Sequence, residues 1–138
     1  MGPDRGWLYS AQVFRFFLVQ GVFVKVEPVL AKLNALRQDT KGEGGVEEKA
    51  IYHAFCFISY EVGPFTDYVE SGTDPNEKKG VEAGDAARTL FAVLEELRED
   101  VADDEADMEF IALDKAVGFI SKAIGDFQHY LNETAEVN

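Results

Sequence analysis

Residues Phe110–Leu131 read FIALDKAVGFISKAIGDFQHYL, and the spacing of their apolar side chains decides the fold. Phe110, Leu113, Val117, Ile120, Ile124, Phe127 and Leu131 recur at alternating steps of three and four. That step returns to one face of an α-helix, whereas a half-buried strand would alternate at every second residue. The same rhythm runs through three earlier segments. Ala83, Ala87, Leu90, Leu94, Leu97 and Val101 carry it, as do Ile51, Phe55, Ile58, Val62, Phe65 and Val69. Phe16, Val19, Phe23, Val26, Leu30 and Leu33 keep the step in the first segment. No segment sustains strand alternation.

The breaks between these segments carry helix-ending chemistry. Lys41-Gly42-Glu43-Gly44-Gly45 and Ser71-Gly72-Thr73 place glycine where a helix turns left-handed and stops. Asp74-Pro75-Asn76-Glu77 has the form of a new start, with Asp74 as N-cap and Pro75 at the first helical position. Four helices are therefore predicted near Trp7–Asp39, Val46–Glu70, Pro75–Ala102 and Asp104–Asn132. Their short connections predict one all-α domain over residues 1–138, an antiparallel up-down-up-down four-helix bundle. Pro28 and Pro64 should kink the first two helices. Leu90, Leu94, Leu97, Leu113, Val117, Ile120 and Ile124 should be buried where the last two meet.

Charge narrows the function classes. Thirteen basic residues against twenty-six acidic ones give a formal charge of −13, which repels phosphate backbones and argues against nucleic acid as a partner. A basic protein partner is compatible with it, and so is acidity that serves solubility alone. The most apolar stretch, Ala11–Leu30, is interrupted by Arg15, Gln20, Lys25, Glu27 and Pro28, so it reads as a soluble helix rather than a membrane span. No secretory signal pattern opens the chain.

Candidate chemistry is sparse. The single Cys56 leaves no internal disulfide. His53 and Cys56 lie one turn apart and could offer a metal two ligands, but no second His/Cys pair completes a set; a packed core histidine and a buried thiol is the plainer reading. Asp126-x-x-His129 has the carboxylate-x-x-His step of di-iron bundles without the second such motif and the inward acids those centres need. The run Asp100, Asp103, Asp104, Glu105, Asp107 and Glu109 lacks the alternation and turn glycine of a calcium loop, and reads as solvated charge at helix ends. Catalytic, cofactor-binding and metal residues are thus all expected to be none, and the protein is expected not to be an enzyme.

The first segment is apolar nearly all round. A bundle helix hides one stripe, so the side chains off that stripe form a candidate partner-binding face: Trp7, Phe14, Phe17, Leu18 and Val24.

Ser59-Tyr60, the charged break Asn76-Glu77-Lys78-Lys79, Thr89-Leu90-Phe91 and the closing Phe127-Gln128-His129-Tyr130-Leu131 together resemble the last three helices of PsbQ-like proteins, the extrinsic four-helix bundles of photosystem II. That resemblance implies a non-catalytic subunit without cofactors. It would dock on protein subunits of a photosynthetic membrane complex, peripheral to the thylakoid and on its lumenal side in the chloroplast, and stabilise the complex or its antenna. Two other classes compete. One is a soluble acidic helical protein that binds and blocks a basic partner; the other is a bundle that takes a small ligand or metal through His53, Cys56 or His129.

Overall fold

A computed structural model of the chain describes residues 24–76 and 82–135. These form six α-helices and, among the described residues, no strand: α1 (Val26–Thr40), α2 (Val46–Tyr60), α3 (Val62–Ser71), α4 (Asp85–Asp100), α5 (Met108–Lys122) and α6 (Ile124–Ala135). The helical class follows the sequence reading. The number of helices does not, and of the starts that of α2 at Val46 is as expected while that of α4 is not.

The expected second helix is two, divided at Glu61, whose backbone leaves the helical region (φ −107°, ψ 36°). Pro64 stands in the first turn of α3 and has no N–H for the carbonyl of Tyr60, so the ladder breaks there. It resumes when Phe65 donates to the Glu61 carbonyl at 2.8 Å. The expected fourth helix is likewise divided, at Ala123 (φ −120°, ψ 38°), with no proline nearby. The Ala123 N–H is shared between the carbonyls of Phe119 (3.0 Å) and Ile120 (3.1 Å), a three-centre bond that tightens the last turn of α5. Packing accompanies this break: Phe119, Ile120, Ala123 and Phe127 are all buried around it.

Pro28 makes no mid-helix kink. Lys25 is extended, α1 begins at Val26, and Pro28 therefore falls in the first turn, where a missing N–H costs nothing. The freed Val26 N–H donates to the Glu70 carboxylate at 2.9 Å, tying the start of α1 to the end of α3. The portion of the expected first helix before residue 24 lies outside the described residues. The glycines behave as read: Gly72 is left-handed (φ 73°) and closes α3, with Thr73 donating to the Asp67 carbonyl.

The largest departure concerns the third helix. Residues 72–76 are not helical, and α4 starts only at Asp85. Asp74 heads no helix among the described residues; its carboxylate lies 3.3 Å from Lys122. The start is capped from across the molecule instead. Gln128 Oε1 accepts the N–H of Gly84 (2.7 Å) and of Ala87 (3.2 Å), two donors that α4 cannot satisfy internally. A Cβ on residue 84 would come within 2.9 Å of that oxygen, so glycine is what admits the remote cap. The start of α5 is nearer to expectation, with Asp107 rather than Asp104 accepting from the Glu109 N–H at 3.0 Å.

α1 packs on α2 and α5, and α4 packs on the same two helices. The first turns of α2 and α4 line one cleft, so these neighbours start at the same end of the molecule. Six helices stand among the described residues where four were expected, and their contacts do not establish an up-down-up-down order. Leu90, Leu94, Leu113, Val117 and Ile120 are buried as expected, with Leu97 and Ile124 half-buried. An aromatic centre joins them, in which Phe65 and Phe127 lie on the apolar period and Phe57 and Phe119 lie off it. Phe57 packs edge-on against Phe127 (5.2 Å between centroids) and tilted against Phe119 (5.9 Å), and Phe65 meets Phe119 at 5.2 Å. All four rings are fully buried.

Candidate functional site

The cleft between the first turns of α2 and α4 and the last turn of α6 encloses about 370 Å³. From α2 come Val46, Lys49 and His53, one to two turns apart and hence on one face. Asp85, Thr89 and Leu90 face them from α4, and Leu131 and Thr134 close the cleft from α6. α2 can begin here because the Gly42–Gly45 turn feeds it. Gly42 and Gly44 take positive φ (89° and 78°), and both donate their N–H groups to the Glu48 carboxylate, at 2.9 and 2.6 Å. Those two bonds hold the Glu48 carboxyl below the usual carboxylate range.

His53 forms the cleft's inner wall and is 7% exposed. Its Nδ1 shares a 3.0 Å hydrogen bond with the Tyr130 hydroxyl of α6. Burial, and secondarily the Lys49 ammonium, push its pKa down, so the ring is neutral at physiological pH. The packed core histidine is what the structure contains. Cys56, one turn on, is half-buried. Tyr52 and Tyr60 flank it and are exposed, 47% and 74% respectively. The Tyr130 hydroxyl is pushed up from the ordinary phenol value, first by burial and then by the Cys56 sulfur; that same sulfur raises Tyr52. A phenol so placed stays protonated and serves as a hydrogen-bonding group.

The other sequence candidates are dispersed. His129 and Asp126 are half-buried on α6, and the acids of the α4–α5 turn are largely exposed. Among the described residues, no three His, Cys, Asp or Glu side chains are grouped so as to hold a metal ion. Of the five residues expected to face a partner, Trp7, Phe14, Phe17 and Leu18 lie outside the described residues. Val24 is placed, and it is in the core, 6% exposed. What the sequence reading missed is the surface of α2 and the start of α3: Val46, Tyr52 and Tyr60 of α2 and Val62 of α3 are the large apolar residues exposed among those described. Tyr52 and Tyr60 lie eight residues apart on a helix, and that spacing was a usable signal.

A family model, that of the vWA-MoxR associated protein middle region 5, matches residues 24–134. The chain belongs to this family. No curated protein and no solved structure matches it. The match overturns the PsbQ-like resemblance, and with it the photosystem docking role, the photosynthetic partners and the thylakoid lumen, since this family is of bacterial type. It lends no specific support to the acidic blocking protein either. The misreading has a physical origin. Thr89-Leu90-Phe91 and Phe127–Leu131 are recognisable because they hold helix-period core residues, Leu90, Phe127 and Leu131 among them. Any helical domain can repeat such patterns. Among the described residues no helix is long and apolar enough to cross a membrane.

Proposed function

We propose that this chain is a non-catalytic interaction module acting within a vWA–MoxR associated assembly, with the outer face of α2 as its contact surface. The observation that carries the reading is the family match, which spans residues 24–134 and so embraces nearly every described element. Three features support it. Among the described residues the polar side chains are spread over the surface or engaged in helix caps and in the His53–Tyr130 bond, and no hydrogen bond pairs a serine, threonine or cysteine side chain with a histidine or carboxylate. The exposed Tyr52 and Tyr60 are the residue type that anchors protein interfaces, amphipathic and low in rotamer entropy. α1, α2, α4 and α5 pack in a closed ring, each mainly against two of the others, and Tyr52 and Tyr60 of α2 remain exposed outside it.

Affinity capture of the tagged chain with vWA and MoxR proteins from the same source tests this. The chain should retain at least one of them, and Tyr52→Ala with Tyr60→Ala should weaken retention by about tenfold or more. Trp7→Ala with Phe14→Ser in the same assay tests the expected contribution of the N-terminal aromatics. Failure to retain either class of protein, with the chain folded, overturns the reading.

A further inference from the structure

The cleft between α2 and α4 is lined by two opposite charges, Lys49 and Asp85, that form no ion pair with each other. Lys49 faces it from α2 and Asp85 from α4, and neither forms an ion pair among the described residues. In a chain with twenty-six acids and thirteen bases, a base is expected to find an acid. Here an acid and a base line the same opening without closing on each other. Between them the surface is apolar, built by Val46, Leu90 and Leu131. The volume of about 370 Å³ falls within the range of small-ligand sites, roughly 300–1,000 Å³.

A cation and an anion set across an apolar floor are complementary to a small zwitterion with an apolar side chain. We infer that the cleft binds a free apolar α-amino acid, its carboxylate toward Lys49, its ammonium toward Asp85 and its side chain on Leu90 and Leu131. No bond is made or broken; the site is a receptor. The inference goes beyond the association proposed above and does not depend on it, because binding is read on the isolated chain.

The test titrates the ¹⁵N-labelled full chain with L-leucine, N-acetyl-L-leucine, which lacks the ammonium, and L-leucinamide, which lacks the carboxylate. L-leucine should shift amides around Lys49, His53, Thr89 and Leu131 and leave the α4–α5 turn unmoved. Each analogue should bind about fivefold more weakly, the scale of one solvent-accessible ion pair. Lys49→Met should remove the preference over leucinamide, and Asp85→Asn the preference over N-acetyl-leucine. Both residues are exposed, so the variants keep the fold. No localised shifts with L-leucine, equal affinity for all three compounds, or preferences that survive the two substitutions would each overturn the inference.

Discussion

The contact of α4 with α5 and the contact of α2 with α6 are built differently, and only the first was written in the apolar period. α4 and α5 meet through aliphatic side chains, Leu90, Leu94, Val117 and Ile120, set on regular stripes. α2 and α6 meet through rings: Phe57, Phe127, Tyr130 and His53, the last two joined by a hydrogen bond. A stripe at steps of three and four reports a seam shared with one neighbour. α2 touches α1, α4 and α6 and buries Ala50, Ile51, His53, Ala54, Phe57 and Ile58. That is a band about twice as wide as one stripe. Phe57, at the centre, falls off the period for that reason.

The comparison can be broken by substitution, and the largest effect should come from the aromatic side. Phe57→Ala should cost about 3–5 kcal/mol, because the ring is fully buried and its neighbours cannot all collapse into the space. On the aliphatic side Leu94→Ala should cost about 2–5 kcal/mol, and Leu97→Ala less, since Leu97 is only half-buried. Urea melts read both. Equal losses for Leu94 and Leu97, or a neutral Phe57→Ala, would show that the two contacts do not differ as described.

A smaller effect sharpens the account of the α5–α6 break. Gly118 sits against the Tyr68 hydroxyl of α3, where a Cβ would collide. Gly118→Ala should cost about 1–3 kcal/mol by overpacking, and Tyr68→Phe should recover most of that loss. A stabilised Gly118→Ala variant, behaving as an ordinary helix position, would contradict the close approach.

The helical class and most of the aliphatic seam were legible, as were the turns at Gly42–Gly45 and Gly72, because period and glycine chemistry are local. The start of α4 was not. Asp74-Pro75 carries a good local start signal, yet Asp74 pairs with Lys122 and the cap comes from Gln128, forty-four residues from Gly84. Gly84 was a local hint, but its partner was not readable from sequence. The divide at Glu61 follows from Pro64, whereas that at Ala123 has no proline to mark it in the sequence. At the site, His53 was read as a core residue, which it is. The outward Tyr52 and Tyr60 lie off the apolar step of Ile51, Phe55 and Ile58, and that step marks the inward side of the helix only.

The least costly change tests the polar link in the aromatic contact. Tyr130→Phe keeps the ring and removes the hydroxyl, so it should cost about 1 kcal/mol at neutral pH, the net worth of one buried hydrogen bond. Acid adds a second reading. The folded-state pKa of His53 is depressed below its ordinary 6.5, so the unfolded chain binds the proton more readily. The His53 contribution to stability is therefore complete above pH 6.5 and declines as the pH falls from there through the folded-state pKa. His53→Gln should flatten that part of the stability–pH curve. An unchanged slope between the two proteins would place the titration elsewhere.

Association is tested most directly by hydrogen–deuterium exchange on the chain alone and mixed with vWA and MoxR proteins from the same source. Exchange over α2 and the start of α3, around Tyr52, Tyr60 and Val62, should slow in the mixture, while the exposed acids of the α4–α5 turn exchange as before. Identical exchange with and without those proteins, at concentrations well above micromolar, would contradict the claim that this chain is an interaction module of such an assembly.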